Sequence, residues 1–340
     1  MAQLNNIQIY KKVGLMTIKQ NLIIAALFAI TFAAGCRKDS GSEKNADAAK
    51  KNSPSSVTLK IVATTGQIND AVNKLTEGTN ATVKLFCGPG VDPHSFSAST
   101  QDVQAMLDSD LIIYNGFHLE AKLSEHLHGT FEDKSWAMSS AFPESNRLDW
   151  VEDGEVDPEA PFDPHIWNHL SGWSECVRAL SVELGKADPD NALRYKENAN
   201  AYIDEILATH QWAREKLATL PEQTRTIVSA HDAFNYFAIA YNMKTLAVLG
   251  VGNDAEADIK TMRTVAEEIC SKKIPAIFME SINNPKVTQA LQEACTARDW
   301  EVELVSQPLY SDDLGELAPL NTFLGAFKSN VNIIFESLNK

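Results

Sequence analysis

The 340-residue sequence lacks the usual marks of several protein classes. Its net charge is −15, whereas proteins that bind nucleic acid need Lys and Arg to neutralise phosphates. Its five cysteines form no CxxC pair, which argues against a thiolate zinc site, and it has no HExxH motif of a metalloprotease. An apolar run at residues 22–35 is too short for a comfortable membrane span. The length and the 44% hydrophobic content instead indicate a globular protein of about two domains.

Residues 1–35 are predicted to be a secretory signal. Three lysines precede the apolar run, and small residues follow it directly before Cys36. This ending resembles a bacterial lipobox, so Cys36 is the predicted lipidation site, with either Met1 or Met16 as the start. The chain is therefore expected to be exported and lipid-anchored on the periplasmic or extracellular face of the membrane. Residues 36–56 are polar and predict a flexible tether.

Strand-like and helical segments alternate in two parts of the chain, residues 57–187 and 221–340. This alternation predicts an α/β fold of two parallel-sheet lobes. The predicted strands are 57–65, 81–87 and 110–116 in the first lobe, and 225–231, 244–250, 276–281 and 302–306 in the second. Cys270 and Cys295 flank one of these strands and could pair, while buried free thiols fit equally well.

The segment between the lobes, residues 188–220, is predicted to be one linking helix. It contains no glycine and has proline only at its second position, and Pro221 follows it. A helix of about 32 residues would be about 48 Å long. It would be either a coiled coil or a rigid spine that joins the two lobes.

The tripeptide Asp-Pro-His occurs twice, ending at His94 and at His165. Proline fixes its own φ, so each histidine follows a stiff loop that sets its direction. His231 ends a predicted strand, and the acidic pair of LYSDDLG follows another. In open α/β sheets the carboxyl ends of the strands bind ligands, and imidazole with carboxylate suits zinc. Three histidines and one carboxylate are thus predicted to form a metal site.

Six stretches give these histidines a context: GVDPHSF, YNGFHLE, DPHIW, SAHDAFNYF, MESINNPK and LYSDDLG. Together they resemble, from about residue 59 to the C-terminus, the metal-binding lipoproteins of bacterial ABC importers for zinc and manganese. The resemblance implies two α/β lobes joined by one long backbone helix, the helical-backbone type of metal receptor. The metal ligands that it implies are His94, His165, His231 and Asp312, with the adjacent Asp313 as the alternative to the last.

The resemblance implies a binding protein and no enzyme. Zn²⁺, or alternatively Mn²⁺, would be its transported ligand, and the membrane permease of an ABC importer its partner, with the chain a monomer. Three histidines and the Irving–Williams order favour zinc, although members with three histidines that take manganese or iron also exist. Supporting or accessory roles near the metal are assigned to His118, His126, His128 and Glu280.

Two other functions fit the same residues. A zinc hydrolase would keep one coordination position open for water and would need a general base, for which Glu280 is a candidate. A surface adhesin is the other alternative, and it would expose apolar patches.

The predicted lipid anchor can be tested directly. Cys36→Ser removes the thiol that would carry the lipid, so the variant is expected to leave the membrane fraction with its metal binding unchanged. Fractionation after a salt wash measures this, with the wild-type chain as the control. A Ser variant that still pellets with membranes would contradict the lipobox interpretation.

Overall fold

A computed structural model of the chain describes residues 58–152, 155–156, 158, 160–250 and 258–340. The predicted signal, the tether and Cys36 lie outside the described residues. Strands and helices alternate along the described chain, as the sequence predicts. The strands are β1 Lys60–Ala63, β2 Thr82–Leu85, β3 Leu111–Tyr114, β4 Ser135–Ala137, β5 Val151–Glu152, β6 Glu155–Val156, β7 Thr226–Ser229, β8 Lys244–Ala247, β9 Ala276–Glu280 and β10 Glu303–Leu309.

Most of the helices begin at a side-chain cap. For example, Thr65 and Ser99 accept hydrogen bonds from backbone N–H groups of the first turns that follow them. The α-helices are α1 Gly66–Leu75, α2 Thr100–Asp108, α3 Leu170–Ala187, α4 Ala192–Leu217, α5 Asn235–Tyr241, α6 Ile259–Lys272, α7 Pro285–Thr296 and α8 Phe323–Leu338. Among the described residues, none of these helices has the length and apolar character that a membrane crossing requires.

The first lobe contains a parallel sheet with the strand order β2-β1-β3-β4. In the second lobe β7 pairs with β8 and β9 pairs with β10, both in parallel, and β7 lies beside β9. The predicted strands are all found, with most ends trimmed by one to three residues. Sequence reasoning missed the three-residue β4 and the short antiparallel pair β5–β6, whose segments are too short to show a hydrophobic period. The predicted α/β class is confirmed.

The central strands are apolar on both faces because each face packs against a different core. In β1, Ile61 and Ala63 join one large cluster, whereas Val62 joins a cluster confined to the first lobe. In β9, Phe278 joins the large cluster and Ile277 joins a cluster confined to the second lobe. Successive strand residues point to opposite faces, so one strand feeds two cores. The large cluster therefore runs without interruption through both lobes.

One face of helix α4 packs into this shared core. The helix has 26 residues, so the prediction of one helix over residues 188–220 was too long at both ends. Pro189–Asn191 form a separate 3₁₀ turn before it, and the helix ends at Leu217, ahead of Pro221. It packs against α3 as an antiparallel neighbour and also touches α1, α5 and α8. These contacts correspond to a buried spine and not to an isolated coiled coil.

Cys270 and Cys295 are both free thiols in the structure. The Cys270 sulfur lies 3.9 Å from the backbone oxygen of Cys295. Of the two alternatives for this pair, the structure thus shows the unpaired one.

The burial of α4 can be tested with two neighbouring residues. Ile206 is 0% exposed and Leu207 is 40% exposed. Ile206→Ala leaves a cavity in the shared core and is expected to lower the free energy of unfolding by about 2–5 kcal/mol. Leu207→Ala is the matched control, with an expected loss below about 0.5 kcal/mol. Urea titration measures both, and equal losses would mean that α4 is not embedded.

Candidate metal centre

The four residues predicted as metal ligands meet where the lobes face each other. His94 follows β2 and His165 precedes α3 in the first lobe, while His231 follows β7 and Asp312 follows β10 in the second. Three of them thus lie beyond the carboxyl ends of parallel strands, the edge at which open α/β sheets bind ligands. His94 is 8% exposed, and the other three are at most 1% exposed.

The donor atoms of the cluster are close enough to share one ion. One donor atom from each of the four residues lies within 4.8 Å of all the others. Nε2 of His94 is 3.3 Å from Nε2 of His165, and Oδ2 of Asp312 is 3.1 Å from Nε2 of His231. Asp312 Oδ1 is 3.4 Å from His165 Nε2, and its Oδ2 is 3.7 Å from His94 Nε2. The side chains could therefore hold a metal ion.

The two Asp-Pro-His stretches form the same local turn. The backbone N–H of His94 donates to Oδ1 of Asp92 at 2.9 Å, and the N–H of His165 donates to Oδ1 of Asp163 at 2.9 Å. The intervening proline has no N–H of its own and a fixed φ, so the aspartate bridges a stiff turn. This geometry explains why the sequence repeats the tripeptide before two of its histidines.

Asp163 has a second contact that orients the ring of His165. Its Oδ1 also lies 2.8 Å from Nδ1 of His165, which places the ring proton on Nδ1 and leaves the Nε2 lone pair for a metal. The amide of Asn235 donates to Oδ2 of Asp163 at 3.1 Å, and the hydroxyl of Tyr236 donates to the backbone oxygen of Asp163. A residue of the first lobe is thus held by two residues of the second.

Glu280 supports His231 in a similar way. Its Oε2 is 2.5 Å from Nδ1 of His231, and its Oε1 accepts the backbone N–H groups of Ala230 and His231. The side-chain amide of Asn283 is also 2.9 Å from Nδ1 of His231. The predicted supporting position of Glu280 next to the cluster therefore agrees with the geometry.

The environment shifts the pKa values of the cluster in different directions. Burial lowers the pKa of His94 to about 4, against the opposing charge of Asp312. Burial also acts to lower the pKa of His231, but the Glu280 and Asp312 carboxylates outweigh it and raise this pKa well above its usual value. Burial would raise the pKa of Asp312, yet the three histidines hold it below the usual range. These surroundings therefore favour the neutral form of His94 and the imidazolium form of His231.

The structure distinguishes the two adjacent aspartates. Asp312 is the one that contacts all three histidines. Asp313 points elsewhere: its Oδ2 accepts the backbone N–H of Gly90 at 2.8 Å, and its Oδ1 accepts the hydroxyl of Ser281. The geometry thus favours Asp312 as the carboxylate ligand.

The other predicted accessory histidines lie away from the cluster. His118 and His128 are exposed and line a cavity of about 540 Å³ together with Arg147, and neither belongs to the group of potential ligands. His126 is half-buried on a single π-helical turn, His126–Thr130. His118 is not one of the four residues grouped as potential ligands, and its supporting role stays a prediction. Asn115, three residues earlier, does connect to the cluster by donating to the backbone oxygen of Pro164.

Sequence reasoning overlooked three residues that support the histidines. They are Asp163, Asn235 and Asn283, and each lies inside or directly beside a stretch already recognised as a motif. The repeat of Asp-Pro-His was itself a signal for Asp163. Nothing in the sequence, however, indicated that Asn235 would cross between lobes to reach it.

Comparison with known proteins places this geometry in a wider group. Residues 61–337 match the family model described as "Zinc-uptake complex component A periplasmic". The manganese-binding lipoprotein MntA of Bacillus subtilis is 33% identical over 322 residues, which cover 94% of this chain and 99% of the relative. The zinc-binding protein TroA of Treponema pallidum is 35% identical over 282 residues, which cover 82% of this chain and 88% of the relative.

Solved structures show the same fold. The structure of TroA from Treponema pallidum aligns with a TM-score of 0.78 and 34% identity, covering 84% of this chain and 100% of that one. Fe(III)-bound YtgA from Chlamydia trachomatis aligns with a TM-score of 0.72 and 25% identity, covering 82% of this chain and 98% of that one. The names of these relatives refer to three different metals.

The pKa shifts predict that metal binding releases protons. The imidazolium form of His231 has a proton on each ring nitrogen, and zinc must displace the one on the ligating nitrogen. At pH 7 we therefore expect about one proton to be released per zinc bound. The pKa of His231 is raised in the folded state, so its protonation stabilises the folded, metal-free protein at low pH. This stabilisation is lost as the pH rises through the raised pKa. Zinc affinity should therefore fall as the pH falls.

Calorimetric titration in buffers of different ionisation enthalpy measures the proton count. The control is the same titration with the wild-type protein at higher pH, where the released fraction should decrease. A proton count of zero at neutral pH, with an affinity independent of pH, would contradict this account of His231.

Proposed function

The chain belongs to the zinc-uptake complex component A family, and on that premise we propose that it captures a divalent transition metal outside the cytoplasmic membrane and delivers it to the permease of an ABC importer. The observation that carries the proposal is the buried cluster of His94, His165, His231 and Asp312. The metal is cargo, and the protein supplies a selective but reversible cage. The lipid on Cys36 would keep this cage, as a monomer, at the membrane surface.

Zinc is the metal that we propose. Three imidazoles and one carboxylate are ligands that zinc prefers, and a structural zinc site is four-coordinate. At zinc–ligand distances of about 2.0–2.1 Å, the corners of a tetrahedron are separated by about 3.3–3.4 Å. Oδ2 of Asp312 lies 3.1 Å from His231 Nε2 and 3.7 Å from His94 Nε2, and the Nε2 atoms of His94 and His165 are 3.3 Å apart. Since one donor atom from each of the four residues lies within 4.8 Å of the others, the cluster would contract somewhat around a tetrahedral ion.

Manganese is the alternative cargo, and one feature of the site favours it. The two oxygens of Asp312 face different histidines, Oδ1 towards His165 and Oδ2 towards His231. A carboxylate that binds through both oxygens would give five ligands, and manganese prefers the higher coordination numbers. The relative named a manganese-binding lipoprotein keeps this alternative open.

A hydrolase fits the site less well than a carrier does. Four protein ligands fill a tetrahedral zinc, whereas a catalytic zinc keeps a position for water. Glu280, the candidate general base, is already engaged with His231 and with two backbone N–H groups, and it is 6% exposed. For the adhesin alternative, the described residues offer no feature comparable to the cluster that supports metal capture.

Single substitutions of the ligands test the proposed function. His94→Ala, His165→Ala and His231→Ala each remove one donor and leave the Asp312 carboxylate partly unpaired. Loss of a residue that only supports a ligand weakens metal binding by up to about 100-fold. We therefore expect the loss of a ligand itself to weaken zinc binding by at least about 100-fold. Competition against a chromogenic chelator measures the affinity, and metal analysis of protein purified without chelator gives the stoichiometry, expected to be one zinc per chain.

His126→Ala and His128→Ala are the matched controls, because both remove an imidazole outside the cluster. Equal losses from His126→Ala and His231→Ala would refute the ligand assignment. The same titration with Mn²⁺ separates the two cargoes: manganese that displaces zinc at equal concentration would overturn the choice of zinc.

A further inference from the structure

One of the segments through which the second lobe contacts the first is residues 311–314, which we call the clasp. Each of its residues contacts the first lobe. The backbone oxygen of Ser311 accepts the indole N–H of Trp167, and Asp312 lies against His94 and His165. Asp313 accepts the N–H of Gly90, and Leu314 packs on Gly66, where an added Cβ would lie 3.0 Å from Leu314 Cγ. The clasp thus carries a ligand and an interlobe contact side by side.

The contact of Asp313 falls on the loop that carries His94. Within this loop the hydrogen bonds are local: Val91 N–H donates to Gly88 O, and His94 N–H donates to Asp92. The bond from Gly90 to Asp313, in contrast, spans 223 residues and ends in the other lobe. Gly90 has a φ of +75°, which favours glycine, and no atom lies within 4 Å of a Cβ built there. The residue is therefore a glycine for its backbone conformation and not for lack of space.

Asp313 is itself anchored in the second lobe. Its Oδ1 accepts the hydroxyl of Ser281, whose backbone N–H donates to Leu309 O at the end of β10. Ser281 directly follows Glu280, the partner of His231. With 3% of its surface exposed, Asp313 makes its two hydrogen bonds in a site largely shielded from water. Hydrogen bonds to a charged, buried group are among the strong ones in proteins.

His94 is the most exposed of the four candidate ligands. The side of His94 is therefore where solvent comes closest to the cluster, and an ion that left on this side would require the loop to move. Movement of the loop breaks the bond between Gly90 and Asp313. Resting on the proposed metal-capture function, we propose that Asp313 is a positioning residue that holds the His94 loop closed over the metal and thereby sets the rate of metal release.

The test measures the rate at which zinc-loaded full-length protein loses zinc to an excess of a chromogenic chelator. Asp313→Ala removes both hydrogen bonds and is expected to raise the release rate at least about tenfold, the usual scale for hydrogen bonds to charged groups. Ser281→Ala removes only the anchor and should accelerate release less. The Co²⁺-loaded Asp313→Ala variant should keep the visible absorption spectrum of the wild type, because Asp313 is not a ligand.

Asp313→Asn separates the hydrogen bonds from the charge. Asn can still accept the N–H of Gly90 but has lost the negative charge near the metal, so its release rate should stay within about threefold of wild type. Asp70→Ala is the control for general destabilisation: Asp70 is buried and accepts the hydroxyl of Tyr202 between α1 and α4. It should lower the melting temperature and leave the release rate unchanged.

Three results would overturn the proposal: release from Asp313→Ala within about twofold of wild type, equal acceleration in Asp313→Asn and Asp313→Ala, or an altered Co²⁺ spectrum in Asp313→Ala. The last two would mean that Asp313 acts through its charge or through the ligand set. A wild-type protein that binds no zinc would instead refute the proposed function, which keeps the two failures distinct.

Discussion

The arrangement of the site depends on one buried carboxylate, that of Asp312, which contacts three imidazoles. These imidazoles come from both lobes. A carboxylate removed from water is costly unless charges and hydrogen bonds compensate it. Here the histidines supply that compensation. The Nδ1 atoms of two of them contact further carboxyl groups: His165 contacts Asp163, and His231 contacts Glu280. The site therefore contains three carboxyl groups around three imidazoles. A proton on His231 offsets part of this negative charge, and a bound metal cation would offset more of it.

The ligands from the two lobes can share one ion only if the lobes keep a fixed relative position. The shared apolar core holds them in that position. The large apolar cluster includes residues of β1 and α1 from one lobe, β7 and β9 from the other, and helix α4 between them. Because this core is continuous, bending the lobes apart would expose apolar surface, at a cost of about 25 cal/mol per Å². The shared core consequently helps to hold one donor atom from each of the four residues within 4.8 Å of the others.

Much of this could be predicted from the sequence because local rules and tertiary structure agree. Strands buried on both faces give continuous apolar runs, and the Asp-Pro-His turns are set by residues adjacent in the chain, so both were visible. The length of α4 was overestimated because Pro189 and Pro221 were taken as its limits, whereas a 3₁₀ turn, Pro189–Asn191, precedes the helix and a non-helical turn follows Leu217. His118 stands inside a motif, but Phe117 and His118 both adopt positive φ and His118 is exposed at a separate cavity, so the motif alone did not indicate its surroundings. Asn235 and Asp313 act across the lobes, and no local pattern encodes a contact of that kind.

The two Asp-Pro-His turns show where sequence information ends. Each aspartate binds the backbone N–H of its histidine at the same distance, since the tripeptide alone dictates that bond. Asp163 is buried and turns to Nδ1 of its histidine, because Asn235 and Tyr236 of the other lobe hold it there. Asp92 instead accepts the hydroxyl of Ser95, a neighbour in the same loop. Asp163 is thus tied to the other lobe as well as to its histidine, whereas the bond from Ser95 to Asp92 stays within the His94 loop. Identical tripeptides therefore fix the same turn before each histidine, while the surroundings of each aspartate depend on the rest of the fold.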